Sequence, residues 1–372
     1  MTPCLKNFTV IRPKYEAKQE ALLDWIAGAH IHVQGKAPSA EEGFAEELRE
    51  TLFKIGLGSN KIQKRGFVLD DCNHRNWEEM QIYNIEYAPE GYHLDKRMDL
   101  YNQTTSQIFE EFYPDNAPLP SHLIHVTCTG YVAPSPAQKL VSLRGMGKET
   151  MVTHAYHMGC YAAIPSIRMA LGHFYANEEA SDIVHTELSS IHMNPSFHSK
   201  EQLVVQSLFA DGFIKYSLDH SGEPGSLTIL GVLEEIIEGS IDNMTWHCQN
   251  WGFQMSISRE VPVRIRKELE GYLQRLAKKS GRDILELKSA VYAIHPGGPK
   301  IIEQIAQKLE LKDEQFAHSQ EILYNCGNMS SGTLPHVWEK IINDENIVPG
   351  QLIVSLAFGP GLSISGALFE KR

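Results

Sequence analysis

Three residues far apart in the chain, Cys160, His295 and Asn328, are of types that together handle a thioester. Cys160 stands in "HMGCYAAIPSIRMALG", between a strand-forming run and a helix-forming one. A tight glycine turn that delivers a cysteine to a helix start aims free N–H groups at the sulfur, which predicts a lowered thiol pKa and a thiolate. Two other readings stand beside this one. Cysteine is among the residue types most often found in a core, and the spacing His154, His157, Cys160 would place all three on one face of a helix as metal ligands. Val152, Thr153 and Tyr156 argue instead for a strand, on which the two histidines point to opposite faces. With no fourth ligand nearby and no CxxC pair, no metal site is expected. His295 ends an apolar strand where the chain breaks into Pro-Gly-Gly, a place where a histidine serves structure as readily as chemistry. Asn328 lies in the turn of "YNCGNMSSGTLPHVW", where an asparagine ordinarily caps a helix. The combination is the informative part: a soft nucleophile, a neutral imidazole and an amide donor can polarise a thioester carbonyl with neither a metal nor a carboxylate.

Positioning three such groups takes a substantial scaffold. The chain has 372 residues, 42% hydrophobic and 22% charged, enough for a large core and two domains or two fused halves. A formal net charge of -12 argues against nucleic acid as the main partner and leaves small molecules or proteins. The six cysteines are dispersed and predict reduced thiols in a cytoplasmic setting. The first twenty residues lack the basic-then-apolar order of a signal peptide, and no apolar run approaches a membrane span. Strand and helix patterns alternate: "FTVIRP", "SHLIHVTCTG", "SDIVHTELSSIHM", "FIKYSLD", "SLTILGVLEEII", "QLIVSLAFGPG" and "LSISGALFE" read as strands. "KQEALLDWIAGAH", "YAAIPSIRMALGHFYA", "EQLVVQSLFADG", "VRIRKELEGYLQRLAKKSG", "GPKIIEQIAQKLEL" and "TLPHVWEKIINDE" read as helices. Pro165, which lacks an N–H, fits only near a helix start, so that helix is expected to begin just after Cys160. An α/β class follows, and the simplest parse is two similar halves, 1–220 carrying the cysteine and 221–372 carrying the histidine and asparagine.

Taken in order, "GCYAAIPSIRMA", "SLFADG", "GFQMSISREVP", "AIHPGGPKII", "YNCGNMSSGTLPHVW" and "AFGPGLS" resemble the signatures of the type III polyketide synthases, the chalcone and stilbene synthase group of the thiolase superfamily. The likeness spans about residues 120 to 369, with "NKIQKRGFVLDD" a looser match. It implies a thiolase-like layered αβαβα fold of two pseudo-duplicated halves, an obligate homodimer, and acyl-CoA or acyl-carrier thioesters with malonyl-CoA as substrates, without a cofactor or metal. By position, Cys160 matches the acyl-accepting nucleophile, His295 and Asn328 its partners, and Phe209 a gating phenylalanine. Met255 falls where plant members have a second phenylalanine, and His192 and Met193 fall on cavity-wall positions. "CYAAIPSIR" is bulkier than the stretch usual after this cysteine, a departure pointing to a divergent cavity. Coenzyme phosphates need cations, for which Lys61, Lys64 and Arg65 are the candidates, and the basic helix from Arg264 to Arg282 could dock an acidic acyl carrier protein. The implied reaction is decarboxylative condensation giving pyrones or phenolic polyketides. Its rivals are a ketoacyl-carrier-protein synthase III-like enzyme that condenses once or joins two β-ketoacyl chains, and a non-catalytic acyl-binding scaffold.

Overall fold

The computed structural model describes residues 2–37, 43–220 and 223–372. The expected boundary between halves, at 220/221, abuts positions 221–222, which lie outside the described residues. Up to that point the elements are β1 (Pro3–Ile11), β2 (Tyr15–Lys18), α1 (Gln19–Gly35), α2 (Phe44–Ile55), β3 (Lys64–Phe67), α3 (Leu94–Phe112), β4 (His122–Thr127), α4 (Pro136–Leu143), β5 (Met151–Tyr156), α5 (Ala163–Asn177), β6 (Ser181–Leu188), α6 (Lys200–Leu208) and β7 (Asp211–His220). Beyond it come β8 (Leu227–Ile236), β9 (Met244–Cys248), β10 (Phe253–Ile257), α7 (Val261–Lys279), β11 (Val291–Ile294), α8 (Pro299–Leu309), α9 (Asp313–Cys326), α10 (Thr333–Asn343), β12 (Leu352–Gly359) and β13 (Ser363–Lys371).

Nine strands form one sheet in the order β11-β12-β13-β8-β1-β7-β6-β4-β5, and this order reads outward from its middle as two matching series. β1 is followed by antiparallel β7, then β6 antiparallel to β7, then β4 parallel to β6. β8 is followed by antiparallel β13, then β12 antiparallel to β13, then β11 parallel to β12. The two series meet at a narrow seam, where Cys4 and Leu5 of β1 pair with Thr228 and Leu227 of β8. The strands nearest the core, such as "HLIHVT" of β4, are buried along their whole length, as strands covered on both faces must be.

One helix explains why the two series fold over one another. α5 has Ile164, Ile167 and Ala170 fully buried and Phe174 nearly so, and it packs against β4, β6 and β7 of one series and β8 and β13 of the other. A helix apolar on more than one face needs walls on both sides. Truncating Ile164 or Ile167 to alanine would leave a void worth about 2–5 kcal/mol. α10 lies against β11 and β7 and carries Trp338, which is fully buried with its indole N–H donated to Ser355 Oγ at 2.8 Å. Both helices start at loops that carry candidate site residues.

Candidate active site

Cys160 is delivered by a reversal of the chain after β5. His157 adopts φ 59° and Gly159 φ 89°, so the backbone turns twice through the left-handed region within three residues. Only glycine fits the second position, since a Cβ on Gly159 would stand 2.3 Å from Pro360 Cδ. The Gly159 amide donates to Cys128 Sγ at 3.0 Å, and Ala162 N donates to Gly159 O at 3.1 Å, opening the first turn around Cys160. Pro165 is the third residue of α5, where its missing N–H costs nothing. We expect Gly159→Ala to lower stability by about 2 kcal/mol or more, from strained backbone and overpacking against Pro360. A denaturation midpoint equal to wild type would contradict the placement of Cys160 by this turn.

His154 and His157 do not approach a common centre. His154 Nε2 lies 2.8 Å from Ser135 Oγ, while His157 Nε2 lies 3.0 Å from the carbonyl oxygen of Trp246. Among the described residues no cluster of three or more His, Cys, Asp or Glu is placed to hold a metal ion.

The Cys160 sulfur lies 3.9 Å from Ser330 Oγ and within hydrogen-bonding reach of the Asn328 side chain. Asn328 is held by its neighbours: Oδ1 accepts from Ser330 N at 2.9 Å and from Thr333 Oγ1 at 3.1 Å, leaving the amide N–H groups to point the other way. Its backbone bridges to Phe209, with Ala210 N donating to Asn328 O at 2.9 Å and Asn328 N to Leu208 O at 3.1 Å. His295 follows β11, its amide bonded to Leu356 O at 2.7 Å. The ring is buried, and neither Nδ1 nor Nε2 has a partner among the described residues. An unmet polar atom in a dry interior costs about 1–3 kcal/mol, and both ring nitrogens are free to meet a bound molecule.

Charge follows burial here. Desolvation pushes the Cys160 thiol up to about 12, outweighing the lowering from Ser330, Asn328 and its own amide, with Glu187 adding to the rise. The thiolate expected from a helix start is therefore corrected: the helix-start donors are present, but a sulfur removed from water keeps its proton. The same dryness holds His295 neutral, its pKa lowered to about 3. Glu187 is a functional neighbour that the sequence reading missed. Fully buried, it accepts from Cys128 N at 3.0 Å, Thr129 Oγ1 at 2.7 Å and Ser331 Oγ, tying the loop after β4 to the loop before α10. A lone acid inside the buried strand "DIVHTEL" was the available signal.

A cavity of about 300 Å³, mouth included, lies over the sulfur and is lined by Cys160, Cys128, Phe209, Trp246, Met255 and Ser330 among others. Phe209 and Met255 thus reach it as expected. Met193 lines a neighbouring chamber instead. His192 lines neither: its ring stacks on Phe253 at 4.4 Å, Nε2 meets Thr129 O at 2.7 Å and Nδ1 accepts from Phe253 N at 3.1 Å, so it braces the wall from behind. Trp246, unanticipated, is fixed by its indole N–H on Cys128 O at 2.7 Å.

The basic trio divides. Lys61 pairs with Glu303 at 2.8 Å and Lys64 with Glu16 at 2.6 Å, both at the surface. Arg65 turns inward, 5% exposed, donating to Phe209 O at 2.6 Å, Gln206 O at 2.9 Å and Gln19 Oε1 at 2.7 Å. It cannot meet a coenzyme phosphate from there, and its inward turn is the correction to the expectation that grouped it with the two lysines.

Two series of strands folded about a buried central helix, with a cysteine at that helix's start and an asparagine on the sulfur, define a thiolase-like architecture. The C-terminal part, residues 228–371, matches the family model of chalcone and stilbene synthases, C-terminal domain. The chain is 25% identical over 356 residues to a probable polyketide synthase 1 of Dictyostelium discoideum, covering 93% of this chain and 11% of that protein. It thus spans about a tenth of that relative's length. An alpha-pyrone synthesis polyketide synthase-like protein of Mycobacterium tuberculosis is 28% identical over 256 residues, covering 67% of this chain and 64% of that one. Among solved structures, the polyketide synthase PKS-I of the brown alga Ectocarpus siliculosus superposes with a TM-score of 0.85 at 22% identity, over 100% of this chain and 98% of that one. The C-terminal part is thus similar to chalcone and stilbene synthases, and the chain as a whole is similar in sequence and fold to polyketide synthases.

Proposed function

We propose that the chain is a type III polyketide synthase-like acyltransferase that loads an acyl group on Cys160 and extends it by decarboxylative condensation with malonyl-CoA. The observation that carries this reading is the Cys160 thiol lining a cavity, with the Asn328 side chain acting on the sulfur. The thiol attacks a thioester carbonyl and passes its proton to the neutral His295 imidazole. The former thioester C–S bond breaks, and the departing thiol takes the proton back. Amide N–H of Asn328 and ring N–H of His295 hold the oxyanion, a task in which one donor is worth about 10²–10³ in rate. The same donors then hold the thioester carbonyl of the malonyl unit as carbon dioxide leaves. The resulting enolate attacks the acyl carbon on Cys160, and the sulfur departs and regains a proton. Phe209, whose backbone is clamped by Arg65 and the Asn328 segment, acts as the gate of this cavity.

Lys61 and Lys64 are the surface cations we assign to a coenzyme's phosphates, each trading its carboxylate for a phosphate oxygen. The matching strand series support the reading as two halves, 1–220 and 221–372. A homodimer is supported by β5, an edge strand open on its outer side, with Met151 on it and Tyr131 beside it exposed.

The test is to incubate wild type and Cys160→Ala with a panel of acyl-CoA and acyl-carrier thioesters plus malonyl-CoA, reading intact mass and released products. A Cys160-dependent acyl adduct with pyrone release is expected. A single-step β-keto product would move the chain to the one-condensation enzymes, and no adduct with any donor would sink the condensing reading.

A further inference from the structure

Each extension of an acyl chain on Cys160 consumes a proton that the loading step does not. In loading, the thiol proton leaves with the released coenzyme thiol, so the balance is even. In extension, the malonyl bond to carbon dioxide breaks and its electron pair becomes the new carbon–carbon bond. The acyl C–S bond then breaks, and the sulfur needs one proton from outside to become a thiol again. A sulfur that burial pushes up to about 12 does not leave as a bare anion. His295, neutral with its pKa lowered to about 3, holds no spare proton to give it. The proton must be brought in.

A line of side chains runs from the catalytic loops to the edge of the sheet. At its inner end Glu187 Oε1 accepts from Ser331 Oγ, next to Ser330, whose Oγ lies 3.9 Å from the Cys160 sulfur. The other carboxylate oxygen accepts from Thr127 Oγ1 at 3.4 Å. Thr127 is within hydrogen-bonding reach of Tyr101, whose hydroxyl lies 2.9 Å from Thr186 Oγ1. Thr186 Oγ1 is 2.8 Å from His125 Nε2, and His125 Nδ1 is 2.8 Å from the Tyr156 hydroxyl. Tyr156 reaches Ser135, and Ser135 Oγ is 2.8 Å from Nε2 of His154, which is exposed on β5. Thr127, Tyr101, Thr186 and His125 are fully buried, with Phe109, Leu123 and Val184 in the surrounding apolar cluster. Apolar groups of the same shape would serve such a core at least as well. Every member between Glu187 and the surface is instead a hydroxyl or an imidazole, groups that both accept and donate a hydrogen bond. An amide, guanidinium or ammonium in the line would block a proton, and none interrupts it.

We propose that this line, from His154 through Ser135, Tyr156, His125, Thr186, Tyr101 and Thr127 to Glu187, is a relay that brings one proton per extension from the surface to the Cys160 site. Each hydroxyl passes its proton inward and takes the next, and His125 takes one at Nδ1 from Tyr156 and gives one at Nε2 to Thr186. The relay rests on the condensing reading above. Its test exploits the difference between the two steps. Tyr156→Phe and Thr127→Val each remove one hydroxyl from the line, and neither residue lines the Cys160 cavity. Octanoyl-CoA is used to load the full-length protein in a single turnover followed by intact mass, and malonyl-CoA is then added and the loss of the octanoyl adduct timed. In both variants loading should run as in wild type while extension slows by about tenfold or more, since a positioned proton donor is ordinarily worth at least that. Tyr131→Phe, which takes a hydroxyl from the ring beside Tyr156 but outside the line, should alter neither step. Loading slowed as much as extension would mean a merely structural role and would overturn the relay, as would extension at the wild-type rate in both variants. A wild type that loads and extends beside variants that do so equally well sinks the relay alone. A wild type that forms no adduct sinks the condensing reading and the relay with it.

Discussion

His295→Leu is expected to slow acyl transfer to Cys160 by about 10²–10³ while leaving the folded state as stable as wild type or more so. Rate and stability part company because of where the ring's hydrogen bonds are. Among the described residues its two nitrogens have no partner, so an apolar side chain of similar size removes an unmet polar burden and keeps most of the packing. Asn328→Ala should slow the same step comparably yet destabilise, because Oδ1 of Asn328 is already occupied by Ser330 N and Thr333 Oγ1, which would lose their buried acceptor. About 1–3 kcal/mol is the expected cost. Single-turnover acylation followed by intact mass gives the rates, and urea midpoints give the stabilities. Equal destabilisation by the two variants would mean that His295 has partners in the resting protein. Unchanged acylation in His295→Leu would remove the imidazole from the mechanism. The opposite signs reflect a common pattern, in which a site poised for a transition state is left unsatisfied in the ground state.

The difference between these two residues also marks how far the sequence could be read. The order of Cys160, His295 and Asn328, and the strand and helix patterns flanking each, were legible because periodicity and glycine turns are local properties. Pro165 located the start of α5 to within two residues for the same reason. Burial is not local. The thiol of Cys160 was expected to be acidic from its helix start, but whether water reaches a sulfur depends on Ser330, Trp246 and Pro360, which come from distant segments. Arg65 looked like a surface cation because "NKIQKRG" is basic, whereas its inward turn follows from carbonyls of Gln206 and Phe209, over a hundred residues away, that need a donor. His192 was placed on the right wall but one layer too deep, since stacking on Phe253 needs the β9–β10 hairpin, whose strands were not anticipated. Trp246 was invisible for the same reason. α9 was also missed, because its first turns, "DEQFAHSQ", mix polar and apolar residues without a clean stripe.

Between pH 7 and pH 5 the protein is expected to lose most of its stability, and the loss traces to histidines rather than to carboxylates. His30, His122 and His336 are buried with pKa values lowered to about 4, and His185, His192 and His295 to about 3, in each case chiefly by desolvation. His125 is pushed well below its ordinary value by the same cause. In the unfolded chain each binds a proton near pH 6.5, so below that pH the unfolded state holds more protons and stability falls as pH falls. The contribution is whole above about pH 6.5 and is lost progressively toward pH 4 and 3. At pH 5 one such histidine costs about 2 kcal/mol, so three of them already match the lower part of the usual 5–15 kcal/mol margin. Two buried acids oppose the trend: Asp211 is raised to about 6 and Glu187 is raised as well, both by desolvation, so the folded state holds protons that the unfolded carboxylates release. Two groups acting over that window do not offset seven. Urea midpoints at pH 7.5, 6.5 and 5.5 should therefore fall steeply, with unfolding accompanied by net proton uptake near pH 5.5. His295→Leu should reduce that uptake by close to one proton, since it deletes one of the seven without disturbing a hydrogen bond. A midpoint that stays flat from pH 7.5 to 5.5 would mean that these rings are not dry.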